Sequence, residues 1–525
     1  MNPEPLPIEG ETPEIPLQPG ENYRFHFDAT KCIGCKCCVV ACHEQNNNPP
    51  EVQWRQVGEI AGGEFPETKH FYISMSCNHC QDPSCLKGCP VDAYYKDKTT
   101  GVVLMKEDTC IGCQYCTWNC PYGAPQYNEE RKMVTKCDMC HNRIAEGNRP
   151  ACVEACPSEA LTIERFNVEE WRENSTEANA PGVPDSSITQ STTRITLSKE
   201  KGIALNRIDD SRVKPEKPHY SLILLTVLTQ LAVGGFSCLF ALEWLDRFFH
   251  LHSFCESFLK IGHLTMLGTA LLALHASVFH LGRPLYAIRA IKMWKRSWLS
   301  REVLFFTLFA GTAMLYSLLS WQTFLSVPLW VRSILGIGVI SFGWVGVFCS
   351  AMIYRVPARP SWDNWCTPVA FFATAFLLGP FLVLMVLSWY LHEATLPLGE
   401  AVVTLKVAGT FLIASLLVAG FFQLGGIAVK LLNTMNQDEP ELQHSAQLLT
   451  QRFRNLFLSR LGVLLMVLLA TPLTLFTLTD LNRIESLEFA GSLSFFAVMA
   501  LLSELAGRYL FFVTVVPKKR PGGYV

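Results

Sequence analysis

Cysteine recurs in four cassettes of four: Cys32-Cys35-Cys38-Cys42, Cys77-Cys80-Cys85-Cys89, Cys110-Cys113-Cys116-Cys120 and Cys137-Cys140-Cys152-Cys156. In the last three the fourth cysteine precedes a proline, Pro90, Pro121 or Pro157. Closely spaced thiolates can wrap one face of an iron-sulfur cubane, while a fourth, held away by the turn before proline, reaches a partner cluster. Sixteen thiolates therefore imply four [4Fe-4S] clusters and one-electron chemistry. Structural zinc also uses C-x2-C pairs, but four ligands complete its shell and leave no use for a third cysteine or the proline. A disulfide framework suits small secreted domains, whereas this 525-residue chain opens on an acidic, proline-rich MNPEPLPIEGETPEIP with no secretory signal. Cys37 breaks the spacing and reads as a thiol behind the ligands or in the core. Cys238, Cys255, Cys349 and Cys366 lie scattered in apolar segments and read as packing residues.

These thiols need a polar fold to hold them, and composition changes sharply just after it, near residue 219. The chain is polar and cysteine-rich before that point and apolar after it. The net charge of -2 carries no footprint of nucleic acid. Apolar stretches near the ~20 residues that a bilayer core of about 30 Å demands are expected at 221-245, 258-280, 303-320, 329-353, 368-390, 401-427, 458-479 and 490-514. Their number and length exclude a buried soluble core, so the second half reads as an all-α bundle of eight membrane-spanning helices. The segment between, 166-218, is rich in Ser, Thr, Asn, Pro and charge, has no sustained period, and reads as a long linker. The expected division is an extension at 1-23, a cluster domain at 24-165, the linker, the membrane anchor at 219-515 and a basic tail at 516-525.

Orientation follows from the basic loops. Arg283, Arg289, Lys292, Lys295, Arg296 and Arg301 follow the second span, Arg355 and Arg359 the fourth, and Lys430, Arg452, Arg454 and Arg460 the sixth. An even number of spans sets the cluster domain on that side, which the positive-inside rule makes cytoplasmic.

The order and wording of the cassettes (SCNHCQDPSCLKGCP, CIGCQYCTWNCPYGAPQYN, KCDMCHNRIAEGNRPACVEACP) resemble the iron-sulfur subunit of DMSO-reductase-type molybdoenzymes. The segments TQLAVGGF (229-236), HLGRP (280-284), SWLSREV (297-303), PSWDNWCTPVAFF (360-372) and ELAGRYLFF (504-512) resemble the eight-span anchor subunit of the same enzymes. The chain thus looks like a fusion of two subunits: an α+β tandem bacterial-ferredoxin-like cluster domain followed by the helical anchor. The resemblance implies cluster pairing of Cys32, Cys35 and Cys38 with Cys156, and of Cys137, Cys140 and Cys152 with Cys42. It likewise implies pairing of Cys77, Cys80 and Cys85 with Cys120, and of Cys110, Cys113 and Cys116 with Cys89. Some relatives lack cysteine at the position of Cys113 and hold a three-iron cluster there; with cysteine present, four cubanes are expected. The resemblance also implies a separate molybdopterin (Mo or W) catalytic subunit as partner, exchange of electrons with menaquinone or ubiquinone, and no heme.

Quinone exchange moves two electrons and two protons, so ionisable groups near the cluster-side ends of spans are the candidates. His280, within HLGRP, matches a histidine that serves menaquinol binding in relatives, and an imidazole titrates near neutrality. Glu504 and Arg508 stand i, i+4 in the last span, where a charge is costly unless paired, and read as an ion pair or a proton path. Arg301 and Glu302 open the third span and either seal the interface or line the quinone approach. His263 and His275 read as packed, hydrogen-bonded residues. The leading function is electron transfer and anchoring between the quinone pool and a molybdoenzyme partner that reduces S-oxides or N-oxides or oxidises sulfite. The alternatives are a redox-coupled ion-translocating module and a passive anchor without a quinone site.

Overall fold

The computed structural model describes residues 17–197, 205–208, 213–249, 254–321, 328–393, 398–435, 439–480 and 486–522. The chain divides into two compact units: Met1–Arg212 with Pro517–Val525, and Val213–Val516.

The first unit is built from short pieces. Its strands are β1 (Glu21–Asp28), β2 (Gln56–Gly62), β3 (Lys69–Met75), β4 (Tyr94–Lys96), β5 (Val103–Met105), β6 (Gln126–Asn128), β7 (Met133–Thr135), β8 (Leu161–Asn167), β9 (Arg194–Thr196) and β10 (Leu205–Arg207). They form two three-stranded sheets, ordered β8-β1-β9 and β10-β2-β3, and the two hairpins β4-β5 and β6-β7. β1 pairs antiparallel with β8 from Glu21↔Asn167 to Phe27↔Leu161, and parallel with β9 at His26↔Arg194. Alternation along ENYRFHFD turns Phe25 and Phe27 into the core, as a strand with one buried face requires.

Between the strands run the short helices α1 (Cys37–Asn46), α2 (Ser84–Gly88), α3 (Tyr115–Asn119), α4 (His141–Ala145), α5 (Ala151–Glu154) and α6 (Val168–Asn174). The first turns of α1, α2, α3 and α5 carry the buried cassette thiols Cys38, Cys85, Cys116 and Cys152. The loops that feed α1 and α3 coil through the left-handed region at Gly34 and Lys36, and at Gly112 and Gln114. At Gly34, φ is +71° and a Cβ would lie 2.6 Å from the Tyr72 ring, so both the turn and the packing require glycine.

Two expectations from composition are corrected. Residues 166–218 are no bare connector: within them the Asn167 side chain accepts from the Glu169 and Glu170 amides to cap α6, and β9 and β10 each complete a sheet. Their pieces are three to seven residues long, too short for any period to emerge. The tail after the last span also folds with the first unit. Residues 1–16 of the expected N-terminal extension, and 198–204 and 209–212 of the linker, lie outside the described residues.

The second unit contains, among the described residues, eight helices long and apolar enough to cross a bilayer: Tyr220–Phe248, Ser257–Val278, Trp298–Trp321, Leu329–Ile353, Cys366–Glu393, Ala408–Asn433, Arg454–Thr477 and Leu487–Val513. The first and fifth are the most enclosed, 83% and 67% buried, and form the centre of the bundle. They cross closely because Gly234 faces Ala375 and Gly379: a Cβ on Gly234 would lie 2.0 Å from the Ala375 carbonyl oxygen. Small residues at such crossings let backbones approach in lipid, where packing drives association. The third span begins five residues earlier than composition indicates, because its first turn tolerates Arg301 where the chain meets the interface.

Candidate functional site

The cassette thiols fall into four groups. Cys32, Cys35, Cys38 and Cys156 lie within one another's electrostatic range. So do Cys42, Cys137, Cys140 and Cys152. Cys77, Cys80, Cys85 and Cys120 line one small enclosed cavity together with Lys136 and Thr189. Cys89, Cys110, Cys113 and Cys116 form the fourth group. All sixteen are free thiols. Among the described residues no three His, Cys, Asp or Glu side chains converge tightly enough to hold a single metal ion.

The thiols' surroundings fit an anionic cluster. Backbone amides point at sulfur: Ala93 N–H donates to Cys89 Sγ at 3.3 Å, Gly112 N–H to Cys110 Sγ at 3.4 Å, and Met139 N–H to Cys137 Sγ at 3.4 Å. Hydroxyls do the same, Thr189 to Cys80 at 3.2 Å and Tyr94 to Cys116 at 3.4 Å. As free thiols these groups resist ionisation: burial, reinforced by neighbouring thiols, pushes Cys42 up to about 12, and burial pushes Cys113 up to about 12. Two buried cations offset the negative charge. Burial opposes the charge of Arg55, yet Cys152, Cys38, Cys137 and Cys42 in their ionised form, as cluster ligands would be, hold it above its usual range. Burial likewise opposes Lys136, and Cys77, Cys85 and Cys137 hold its ammonium up. The Arg55 Nε is buried and has no protein acceptor, an orphan donor on a guanidinium whose charge the sulfurs of Cys152, Cys38, Cys137 and Cys42 favour.

Neighbouring groups lie within electrostatic reach of one another in turn: Cys38 and Cys152 couple the first group to the second, Cys137 and Cys77 the second to the third, and Tyr94, hydrogen-bonded to Cys116 and near Cys85, the third to the fourth. The first group sits at the surface, with Cys35 exposed and Ile33 and Val40 beside it 65% and 60% exposed. Cys37 is exposed here as well and hydrogen-bonds Cys35, which rules out the core position and keeps the alternative of a thiol behind the ligands.

In the membrane unit, a cavity of about 110 Å³ is lined by residues of the fifth, sixth, seventh and eighth spans, among them Thr374, Gln423, Lys430, Arg460, Glu504 and Arg508. The Glu504 carboxylate is buried and accepts from Thr374 Oγ1 at 2.6 Å and from Gln423 Nε2 at 2.8 Å, with Arg460 Nη2 at 3.4 Å. Arg508 donates to Gln230 Oε1 at 2.9 Å and stacks 3.8 Å from the centre of the Phe371 ring. The i, i+4 pair read from the sequence is thus split: Arg508 lies close enough to feel the Glu504 charge, but its fork turns to the first span, and the ion-pair partner of Glu504 is Arg460. Lys430 sits 5.1 Å over Phe511, and Trp362 stacks on Phe511 at 5.0 Å while its Nε1–H donates to the Phe511 carbonyl. Two of the resembling segments, 360-372 and 504-512, therefore line one cavity, and a third, 229-236, reaches its Arg508 through Gln230. Arg460, Gln423 and Thr374 were missed as site residues because their partner is 44 to 130 residues away.

His280 does not line this cavity. It lies just beyond the second span, its Nδ1–H donating to the Ser277 carbonyl, beside His219. His263 is packed between Phe236 and Tyr316 and hydrogen-bonded to Ser320 Oγ at 3.1 Å. His275 lies on an exposed helix face, not a packed one. Arg301 donates to the carbonyls of Trp294 and Lys295 and stacks on Trp298, fastening the preceding loop.

A second buried polar network, not read from the sequence, joins the first four spans. Glu243 pairs with Arg247 at 2.6 Å and Arg332 at 2.9 Å and accepts from the Tyr316 hydroxyl, which neighbours His263.

Comparison with known proteins adds the lineage. Residues 68–165 match the 4Fe-4S dicluster domain, and residues 215–513 match the family "DMSO reductase anchor subunit (DmsC)". The cluster region is 48% identical to a chain of the anaerobic dimethyl sulfoxide reductase of Escherichia coli K12 over 147 residues, 26% of this chain and 71% of that protein. It is 40% identical to an anaerobic dimethyl sulfoxide reductase chain of Haemophilus influenzae over 180 residues, 32% of this chain and 86% of that one. It is 36% identical to a sulfite dehydrogenase subunit of Allochromatium vinosum over 155 residues, 26% of this chain and 65% of that one. The chain belongs to the DMSO reductase anchor subunit family, and carries a 4Fe-4S dicluster domain ahead of its eight-span anchor in the same polypeptide.

Proposed function

We propose that this protein passes electrons between the quinone pool and a separate molybdopterin catalytic subunit, and anchors that subunit to the membrane. Its family identity is that of an iron-sulfur and membrane subunit of an oxidoreductase complex that does not itself carry the catalytic metal centre. The observation that carries the proposal is the succession of four cysteine groups, each buried group supplied with donors or cations beside its sulfurs. Bound there, four [4Fe-4S] clusters would supply one-electron steps. The protein's part is to hold the thiolates, to offset their charge through Arg55 and Lys136, and to exclude water. The exposed first group, rimmed by Ile33 and Val40, is the port to the catalytic subunit.

Quinone is the substrate of the membrane unit. A quinol in the cavity between the fifth to eighth spans would give up two electrons, one at a time, to the cluster groups, and two protons, one to a carboxylate oxygen of Glu504 and the other to water, while Arg508 and Lys430 donate hydrogen bonds to the ring oxygens. His280 lies away from that lining and handles protons between the helix ends and solvent. Terminal chemistry is reduction of an S-oxide or N-oxide, or oxidation of sulfite, on the partner; similarity both to dimethyl sulfoxide reductase chains and to a sulfite dehydrogenase subunit supports either direction. The basic loops favour a cytoplasmic cluster unit. Protease digestion of oriented vesicles tests that face, and cleavage of the cluster unit from the outer side would contradict it.

The experiment for the quinone site is quinol-driven cluster reduction in purified complex, followed by EPR, for Glu504→Gln and His280→Ala. Slowed reduction in Glu504→Gln with unchanged reduction by dithionite supports the cavity; normal quinol reduction in both variants contradicts it. The Glu243 network favours a second reading, proton movement coupled to the redox reaction, since it extends buried ionisable groups into the first four spans. Proteoliposomes that acidify or alkalinise beyond the scalar protons of quinol oxidation would establish it.

A further inference from the structure

The segment after the last span, Pro517–Gly522, folds with the first unit and buries an arginine near a cassette thiol: Arg520 N–H donates to the carbonyl of Tyr122, two residues beyond Cys120, at 3.5 Å. Arg520 is 1% exposed. Its Nε–H donates to Gln56 Oε1 at 3.0 Å and its Nη2 to the Gln53 carbonyl at 2.9 Å, both neutral acceptors. Its Nη1 is buried without a protein acceptor. The charged or ionisable groups around it are the thiols of Cys120, Cys77 and Cys137, opposed by Arg55. Burial opposes the charge, but a guanidinium is not deprotonated at neutral pH, so Arg520 stays a cation.

The tail is seated with little freedom. Arg207 Nη1 donates to the Lys519 carbonyl at 3.0 Å. Gly522, at φ +90°, lies against β2 so closely that a Cβ on Gly58 would meet its nitrogen at 2.3 Å. Glycine at both positions permits that contact. A buried guanidinium held only by neutral acceptors is costly, and an anionic cluster on the third thiol group supplies the missing partner.

We propose that Arg520 is a potential-setting residue for the cluster held by Cys77, Cys80, Cys85 and Cys120, so that the tail of the anchor half tunes the electron carrier of the cluster half. This rests on the cluster-ligand assignment above. One-electron reduction adds a negative charge to the cluster, and a fixed cation beside it favours that state. Removing the charge therefore makes the cluster harder to reduce.

The test is an EPR-monitored redox titration of the intact complex in native membranes, for wild type, Arg520→Gln and Arg520→Lys, with iron measured in each. Four clusters in wild type secure the assignment; fewer than four sinks the assignment itself, and that result is visible before any variant is compared. With four present, a lower midpoint potential for one cluster in Arg520→Gln, restored toward wild type in Arg520→Lys, is expected. Loss of one cluster's iron in Arg520→Gln, with retention in Arg520→Lys, also supports a charge role. Unchanged potentials in Arg520→Gln, or the same shift in both variants, would overturn it and leave the tail a packing element.

Discussion

Glu504 is a carboxylate buried among a threonine, a glutamine and an arginine from three other spans, each of which turns a donor toward its oxygens. Replacing it with glutamine keeps the shape but removes the proton acceptor. Quinol-driven reduction should fall about a hundredfold or more, a typical loss for a general base, while dithionite still reduces every cluster; stopped-flow absorbance reads both. Cys113 offers a second residue-level prediction. It completes the fourth thiol group, so Cys113→Ser should leave one cluster short of an iron-binding thiolate, converting it to a three-iron form or losing it; EPR of the oxidised protein distinguishes these from an unchanged cubane. At this scale the sequence was legible where spacing is local. The cassettes announce themselves within a dozen residues, and Glu504 and Arg508 stand out because charge in a span is costly. Arg460 and Gln423 could not be found that way, since what makes them site residues is a partner on another helix. For Cys37 the sequence left two positions open, behind the ligands or in the core, because adjacency to Cys38 does not say which way a side chain faces; its contact with Cys35 and its exposure decide for the first.

The close crossing of the first and fifth spans depends on Gly234 and Gly379, whose backbones would collide with any Cβ. Gly379→Leu should destabilise the bundle by about 1–3 kcal/mol or more through overpacking, seen as a lower melting temperature in detergent and poorer yield from membranes. In the cluster unit, the loop from Lys31 to Lys36 presents Ile33 at the surface beside the first thiol group. Ile33→Glu should weaken association with the catalytic subunit while leaving cluster content unchanged, measured by co-purification and iron analysis. The eight spans were legible because twenty apolar residues in a row have few other uses. The folded parts of 166–218 were not: β9 and β10 are three residues each, and they exist because β1 and β2 offer them hydrogen-bonding edges, which is information from elsewhere in the chain.

At the scale of the whole molecule, Pro517–Gly522 folds with the first unit rather than with the helices that precede it. The tail that follows the last span supplies Arg520 to the cluster unit, and neither its length nor its basic composition discloses this, because lysines and arginines at the end of a membrane protein serve equally well as topology signals. The cysteine groups succeed one another within electrostatic reach, from a surface group to a buried one, an arrangement suited to carrying electrons in either direction, so the direction is set by the potentials of the quinone and of the partner's substrate. The most direct measurement is to purify the complex anaerobically in mild detergent, add quinol, and record which clusters become reduced by EPR alongside iron and molybdopterin content. The account predicts four [4Fe-4S] clusters per chain, electron delivery from quinol to them, and a co-purifying molybdopterin subunit. Four clusters that dithionite reduces but quinol does not, in a complex that contains that subunit, would contradict a quinone-linked wire.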